Sequence, residues 1–214
     1  MDASNVGWPF FKLTEHGRKV IQQGAPQPYD PDGFLTHFKR IVPQADPTVY
    51  SYLEEAVATF NHACPRASAV MLGCASEKLI LLLCDAFEKS ISDATKKTRY
   101  QKDAAAHWSI ANKYKVLSDR LDAVVAGKKV TVPQEIFETI QAELPAGYEL
   151  LRRTRNAAGH PEVPTAVEPD TVFMNLRMFI EYARRVYALL GFRVFVSASC
   201  AFSFAYSPFG SKTI

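Results

Sequence analysis

The stretch VMLGCASEKLILLLCDAF, residues 70–87, constrains the fold of this chain more than any other. At helical spacing it is apolar on nearly every face, interrupted only by Ser76, Glu77, Lys78 and Asp85. A helix with so little polar surface belongs at the centre of a bundle, where neighbouring helices keep it from water. Pro65 suits the first turn of that helix, because a proline at the start lacks only an N–H that would be unpaired anyway. The predicted helix runs from there to about Ser90.

The flanking segments supply neighbours. Residues 47–63 carry Val49, Tyr52, Leu53, Ala56, Val57 and Phe60 at the three-and-four spacing of an amphipathic helix. Further helices are predicted over 107–126, ending at Gly127, and over 133–144, opened by Pro133 and closed by Pro145. The next covers 146–160, stopped by Pro161. The last covers 168–190, with Phe173, Leu176, Ile180, Ala183, Val186 or Tyr187, and Leu190 as its buried stripe. Residues 91–106 are polar and basic, a mobile connection or a helix start. The expected fold is an all-α bundle of about five helices, and 214 residues are enough for a sizeable core.

The two ends read differently. Residues 8–24 suggest a short strand followed by a short helix, with Thr14 as its cap. Residues 25–34, APQPYDPDGF, have the three prolines, two aspartates and glycine of a loop or linker. FFKLTEHGRKVI near the N-terminus is similar to the last strand and following helix of winged-helix DNA-binding domains, but nothing precedes it to supply a recognition helix, so it reads as a remnant or packing arm. Residues 194–206 alternate apolar and small side chains at the period of a strand. The expected division is an arm over 1–30, a helical domain over 45–191 and an apolar tail over 192–214.

Charge and cysteine usage narrow the setting. The formal charge is +3, from 25 Lys+Arg against 22 Asp+Glu, too mild to imply a nucleic-acid partner without local clusters. Cys64, Cys74, Cys84 and Cys200 form no C-x-x-C pair and no zinc-like spacing. No basic segment followed by an apolar core opens the chain. No run of eighteen purely apolar residues appears, the nearest case being 192–206. The expectation is a reduced, cytoplasmic protein with no membrane span, no metal and no cofactor.

The segment LLRRTRNAAGHPE, residues 150–162, carries the chemistry. Arg155 offers a planar charged fork suited to phosphate oxygens. His160 exchanges a proton near neutral pH, and Asn156 both donates and accepts hydrogen bonds. These groups suffice to break an RNA phosphodiester by attack of the ribose 2′-hydroxyl: a base, an acid and a cation for the charge on phosphorus. Two difficulties stand against one copy doing this. Residues five apart on a helix point about 140° apart, and one histidine cannot be acid and base in the same step. Gly159 and Pro161 permit an early helix end or a bend. A two-fold dimer answers both difficulties by bringing two histidines and two arginines into one cleft, with Ala157, Ala158 and Gly159 small enough for close approach. The plain alternative is a basic last turn complementing its helix dipole.

GCASEKLILLLCDAF followed some seventy residues later by LLRRTRNAAGHP resembles the HEPN superfamily (higher eukaryotes and prokaryotes nucleotide-binding domains), in particular its bacterial branch with an R-N-x-x-x-H signature. The resemblance covers about residues 45–190. It implies a helical bundle with R-x(4–6)-H near the end of a late helix, matched by Arg155 and His160. Asn156 matches the polar residue that commonly follows the arginine, and Glu77 matches an acidic residue of the early central helix. What it implies for function is a metal-independent endoribonuclease, acting as a homodimer in toxin–antitoxin, abortive-infection or antiviral defence, with an antitoxin or defence protein as possible partner. Some members are non-catalytic, so an interaction module that binds RNA, nucleotide or protein is the alternative.

Other residues carry weaker expectations. Glu77 either supports Arg155 or His160 or makes a simple ion pair. Arg152 and Arg153 either guide RNA phosphates or are merely solvated. Lys96, Lys97, Arg99 and Lys102, interleaved with Tyr100, suit either a flexible RNA-contacting loop or a solvated connector. His16, His37, His62, His107 and Trp108 form no ligand spacing.

Overall fold

Asp30 and Pro31 start a helix. The computed structural model describes Glu15 and residues 26–106, 108–126, 132–160 and 167–192; the predicted N-terminal strand and helix, the Thr14 cap and the period-two tail lie outside them, Glu15 apart. The Asp30 carboxylate accepts from the Gly33 N–H at 3.1 Å, and Pro31 opens α1, Pro31–Ile41. The expectation of a loop over residues 25–34 is therefore corrected from Pro31 onward. The same aspartate and proline that suggest a turn are also a helix cap and a first helical residue.

The following elements are α2 (Pro47–Asn61), α3 (Pro65–Ser90), α4 (Ala94–Ala105), α5 (Ile110–Ala126), α6 (Gln134–Glu138), a π-helical turn (Thr139–Glu143), α7 (Leu144–Gly159) and α8 (Pro169–Gly191). The protein is an all-α bundle, and every described secondary-structure element is helical. Helices α2 and α3 fall where their apolar spacing and their prolines predict. The segment expected to be a connection or a helix start, 91–106, is α4, with Asp93 accepting from the Lys96 N–H at 3.0 Å.

Pro145 does not end a helix as expected. The Leu144 N–H reaches back five residues to the Thr139 carbonyl, which widens the turn just before the proline. A wide turn gives the proline ring room that a regular α-turn lacks, and its missing N–H falls in the first turn of α7. The buried Thr139 hydroxyl lies 2.9 Å from the Glu135 carbonyl and 3.0 Å from the Glu143 carboxylate.

The described residues group into two compact units. One contains those up to Ala75 together with those of Leu151–Glu181. Its core is built by Phe34 and Phe38 of α1, Leu53 and Val57 of α2, Leu72 of α3, Leu151 of α7 and Leu176 and Phe179 of α8. Phe38 stacks on Phe179 with ring centroids 6.1 Å apart. The buried Ser68 hydroxyl donates to the Ala56 carbonyl at 2.7 Å, closing α2 onto α3.

The other unit contains Ser76–Leu150 and the residues from Tyr182 on. Leu79, Ile80 and Leu83 of α3 are its centre, with Leu117, Leu121, Leu144, Val186 and Leu189 around them. Arg185 bridges Glu135 at 2.8 Å and Glu143 at 3.2 Å, tying α8 to α6 and the π-turn. The buried stripe of α8 is rotated from expectation. Leu176, Ala183, Val186 and Tyr187 are buried, but Phe173, Ile180 and Leu190 are only half-buried, and Val172, Phe179 and Leu189 take their places.

Among the described residues α3 is also long and apolar enough to cross a membrane by length and composition. The nearest case in the sequence, 192–206, lies outside them from residue 193 on. More than half of the most apolar window of α3 is buried within the protein (56%), so its apolar side chains are used in packing.

Candidate functional site

The last turns of α7 hold Arg152, Arg153, Thr154, Arg155 and Asn156, and His160 is the first residue beyond the helix. Leu151 and Ala158 are buried, at 1% and 4% exposure, and fix the inward direction. At about 100° per residue, Arg155 lies roughly 40° from Leu151, on the inward face. Arg153, Asn156 and Ala157 are exposed and lie on the opposite face. His160 lies beyond the end of the helix and is exposed.

Arg155 is half-buried. Its aliphatic stem crosses α3 where Gly73 leaves room: a Cβ at that glycine would sit 2.4 Å from both Cβ and Cγ of Arg155. A long cationic side chain can bury its stem in this way and carry its charge to the surface. The guanidinium turns toward Asn156, donating from Nη1 to the Asn156 Oδ1 at 3.1 Å. The structure thus joins Arg155 and Asn156 directly. Behind the motif the buried Asn175 donates to the Thr154 hydroxyl at 3.1 Å, locking α7 to α8.

A groove of about 280 Å³ runs beside this face. Arg153, Thr154 and Ala157 of α7 form one wall, and Val167, Glu168 and Thr171 form the other. The contribution from the start of α8 was missed in the sequence, because only the fold brings residues 167–171 alongside 153–157. Of the small residues expected to permit a close approach, Ala157 and Gly159 are exposed but Ala158 is in the core, so it is not available to a dimer contact.

Glu77 is half-buried on α3. Arg152 is half-buried and Arg153 exposed. Lys96, Arg99 and Lys102 are exposed on α4, which is a helix and not a loop. Tyr100 cannot stack on a base, because it is 3% exposed and packs on Phe87 with ring centroids 5.2 Å apart. Its hydroxyl faces the Cys84 thiol, and burial raises both groups above their ordinary pKa values. Trp108, eight residues on, is 95% exposed.

His37 and His62 have local partners, the Arg40 guanidinium and the Ala58 carbonyl, each at 2.8 Å. His16 and His107 lie outside the described residues. Among the described residues no group of three or more His, Cys, Asp or Glu is placed to hold a metal ion. In comparison with known proteins, the chain matches no family model, no curated protein and no solved structure.

Proposed function

We propose that this chain is a metal-independent endoribonuclease of the HEPN kind, working as a homodimer in a toxin or antiviral defence role. The observation that carries the reading is the end of α7. There a guanidinium with a buried stem is held by Asn156, and the exposed His160 follows on a surface whose side chains at 157 and 159 are small.

In this reaction His160 of one copy removes the proton of a ribose 2′-hydroxyl. The freed oxygen attacks the adjacent phosphorus, and the bond from phosphorus to the 5′ oxygen breaks. His160 of the second copy protonates that leaving oxygen. Arg155 binds the non-bridging oxygens and stabilises their charge in the transition state. The products are a 2′,3′-cyclic phosphate and a 5′-hydroxyl. The nucleophile belongs to the substrate, so no metal is required to generate it. Asn156 acts on Arg155, fixing the direction of the guanidinium. Glu77 is assigned a supporting role and Arg152 a guiding one.

The test compares wild type with His160→Ala on total cellular RNA, with EDTA present throughout. His160 is exposed and outside the helix, so the variant should stay within about 0.5 kcal/mol of wild-type stability. Cleavage should fall by at least roughly 100-fold, the lower range for loss of a general acid–base group. Equal cutting by the variant, or no cutting by wild type on any RNA, overturns the reading in favour of a binding module.

A further inference from the structure

Two arginines stand near His160, and the fold gives them different work. Arg155 sits on the inward face, its stem against Gly73. Arg153 is exposed on the outward face with Asn156 and Ala157. It also forms one lip of the groove whose opposite lip holds Glu168 and Thr171.

We propose that this groove seats the ribose–phosphate backbone of single-stranded RNA, with Arg153 on a phosphate and Glu168 on a ribose 2′-hydroxyl. The proposal rests on the ribonuclease reading for its choice of ligand and gives that reading a binding groove. The volume, about 280 Å³, is at or just below the lower end of small-molecule pockets, about 300 Å³. It suits a backbone segment laid along a surface better than an enclosed ligand.

The lining chemistry is mixed in a way that fits RNA. A guanidinium has five N–H donors, so Arg153 can serve a phosphate alongside the interaction it already makes within the protein. A carboxylate on the facing lip repels a bare phosphate. It accepts readily from a hydroxyl, and the 2′-hydroxyl is the group by which a protein tells RNA from DNA. Ala157 and Val167 give the two walls an apolar part, against which the sugar carbons can lie. Thr154 is held from behind by Asn175, so this wall is set before any ligand arrives.

The experiment measures binding apart from cleavage. A fluorescent single-stranded 8-mer, as RNA and as the matching DNA, is titrated into the full-length His160→Ala protein by anisotropy across a salt series. Adding Arg153→Gln should weaken both oligonucleotides about tenfold, as expected for a lost charged hydrogen bond. It should also flatten the slope of log K against log salt by about 0.7, one phosphate contact on a single strand. Adding Glu168→Ala should reduce RNA binding several-fold and leave DNA unchanged or tighter. Affinities within twofold of the parent for Arg153→Gln overturn the groove. RNA and DNA responding alike to Glu168→Ala overturns the ribose contact. If RNA binds in an Arg153-dependent way but wild type never cuts, the ribonuclease reading fails and the groove stands. If wild type cuts while binding ignores Arg153, the groove fails alone.

Discussion

Replacing Gly73 with alanine tests the contact that positions Arg155. The added Cβ would lie 2.4 Å from Cβ and Cγ of Arg155. An ordinary carbon–carbon contact is about 3.5–4.0 Å, so the two backbones must separate locally by roughly an ångström. The clash is with the root of the arginine side chain, which cannot swing aside as its tip could. Overpacking of this kind costs about 1–3 kcal/mol. Alanine returns up to about 1 kcal/mol because glycine is a poor helix former. The net expectation is a loss of roughly 0–2 kcal/mol, and for a chain of this size about 2–4 °C in Tm per kcal/mol. Gly159→Ala is the control for stability alone, since among the described residues its Cβ would meet Val70 at 4.0 Å. Urea denaturation followed by circular dichroism reads the stability, and RNA cleavage reads the site. If the ribonuclease reading holds, a displacement of about 1 Å at Arg155 should cost on the order of 100-fold in rate. A Gly73→Ala protein that gains stability, or cuts RNA as fast as wild type, would refute the close packing and its role.

Two further outcomes concern the folded state. Thr139→Val keeps the shape of a fully buried side chain but removes the hydroxyl that serves Glu135 and Glu143; it should lower unfolding free energy by about 1 kcal/mol, and a variant as stable as wild type removes that hydroxyl from any account of the π-turn. For His37, burial first and the Arg40 charge second hold the pKa below its ordinary value of 6.5. The unfolded chain therefore takes up the proton first as pH falls. The stabilisation is complete above pH 6.5 and is lost as pH drops through the lowered value. His37→Gln should show a smaller fall in urea midpoint between pH 7.5 and 5.5 than wild type, and identical falls would exclude the histidine as the cause.

Helices whose boundaries are written in local chemistry were legible in the chain. Pro65 and the apolar run behind it define α3 from Pro65 to Ser90, and the spacing of Val49, Leu53, Ala56, Val57 and Phe60 marks the buried face of α2. Residues with two local meanings were not. Asp30 and Pro31 suit a turn and a helix start equally well, and the neighbours that α1 buries Phe34 and Phe38 against are distant in sequence. Pro145 ends an ordinary helix, and only a tertiary setting that rewards continuation favours the π-turn instead. For Arg153, Arg155, Asn156 and His160 the residue types were visible, but not which way each faced. Spacing gives angles relative to one another; the burial of Leu151 and Ala158 turns those angles into inside and outside.

The π-turn sets the phase between α6 and the start of α7. Its bond from Leu144 back to Thr139 spans one residue more than an α-turn. Helix α7 therefore starts about 100° out of step with a straight continuation of α6. Deleting one residue from 139–143 leaves every side chain of the motif intact in sequence. It rotates the start of α7 by that angle relative to α6. An insertion or deletion there is thus a change of frame for the start of α7, made without touching any residue of the motif.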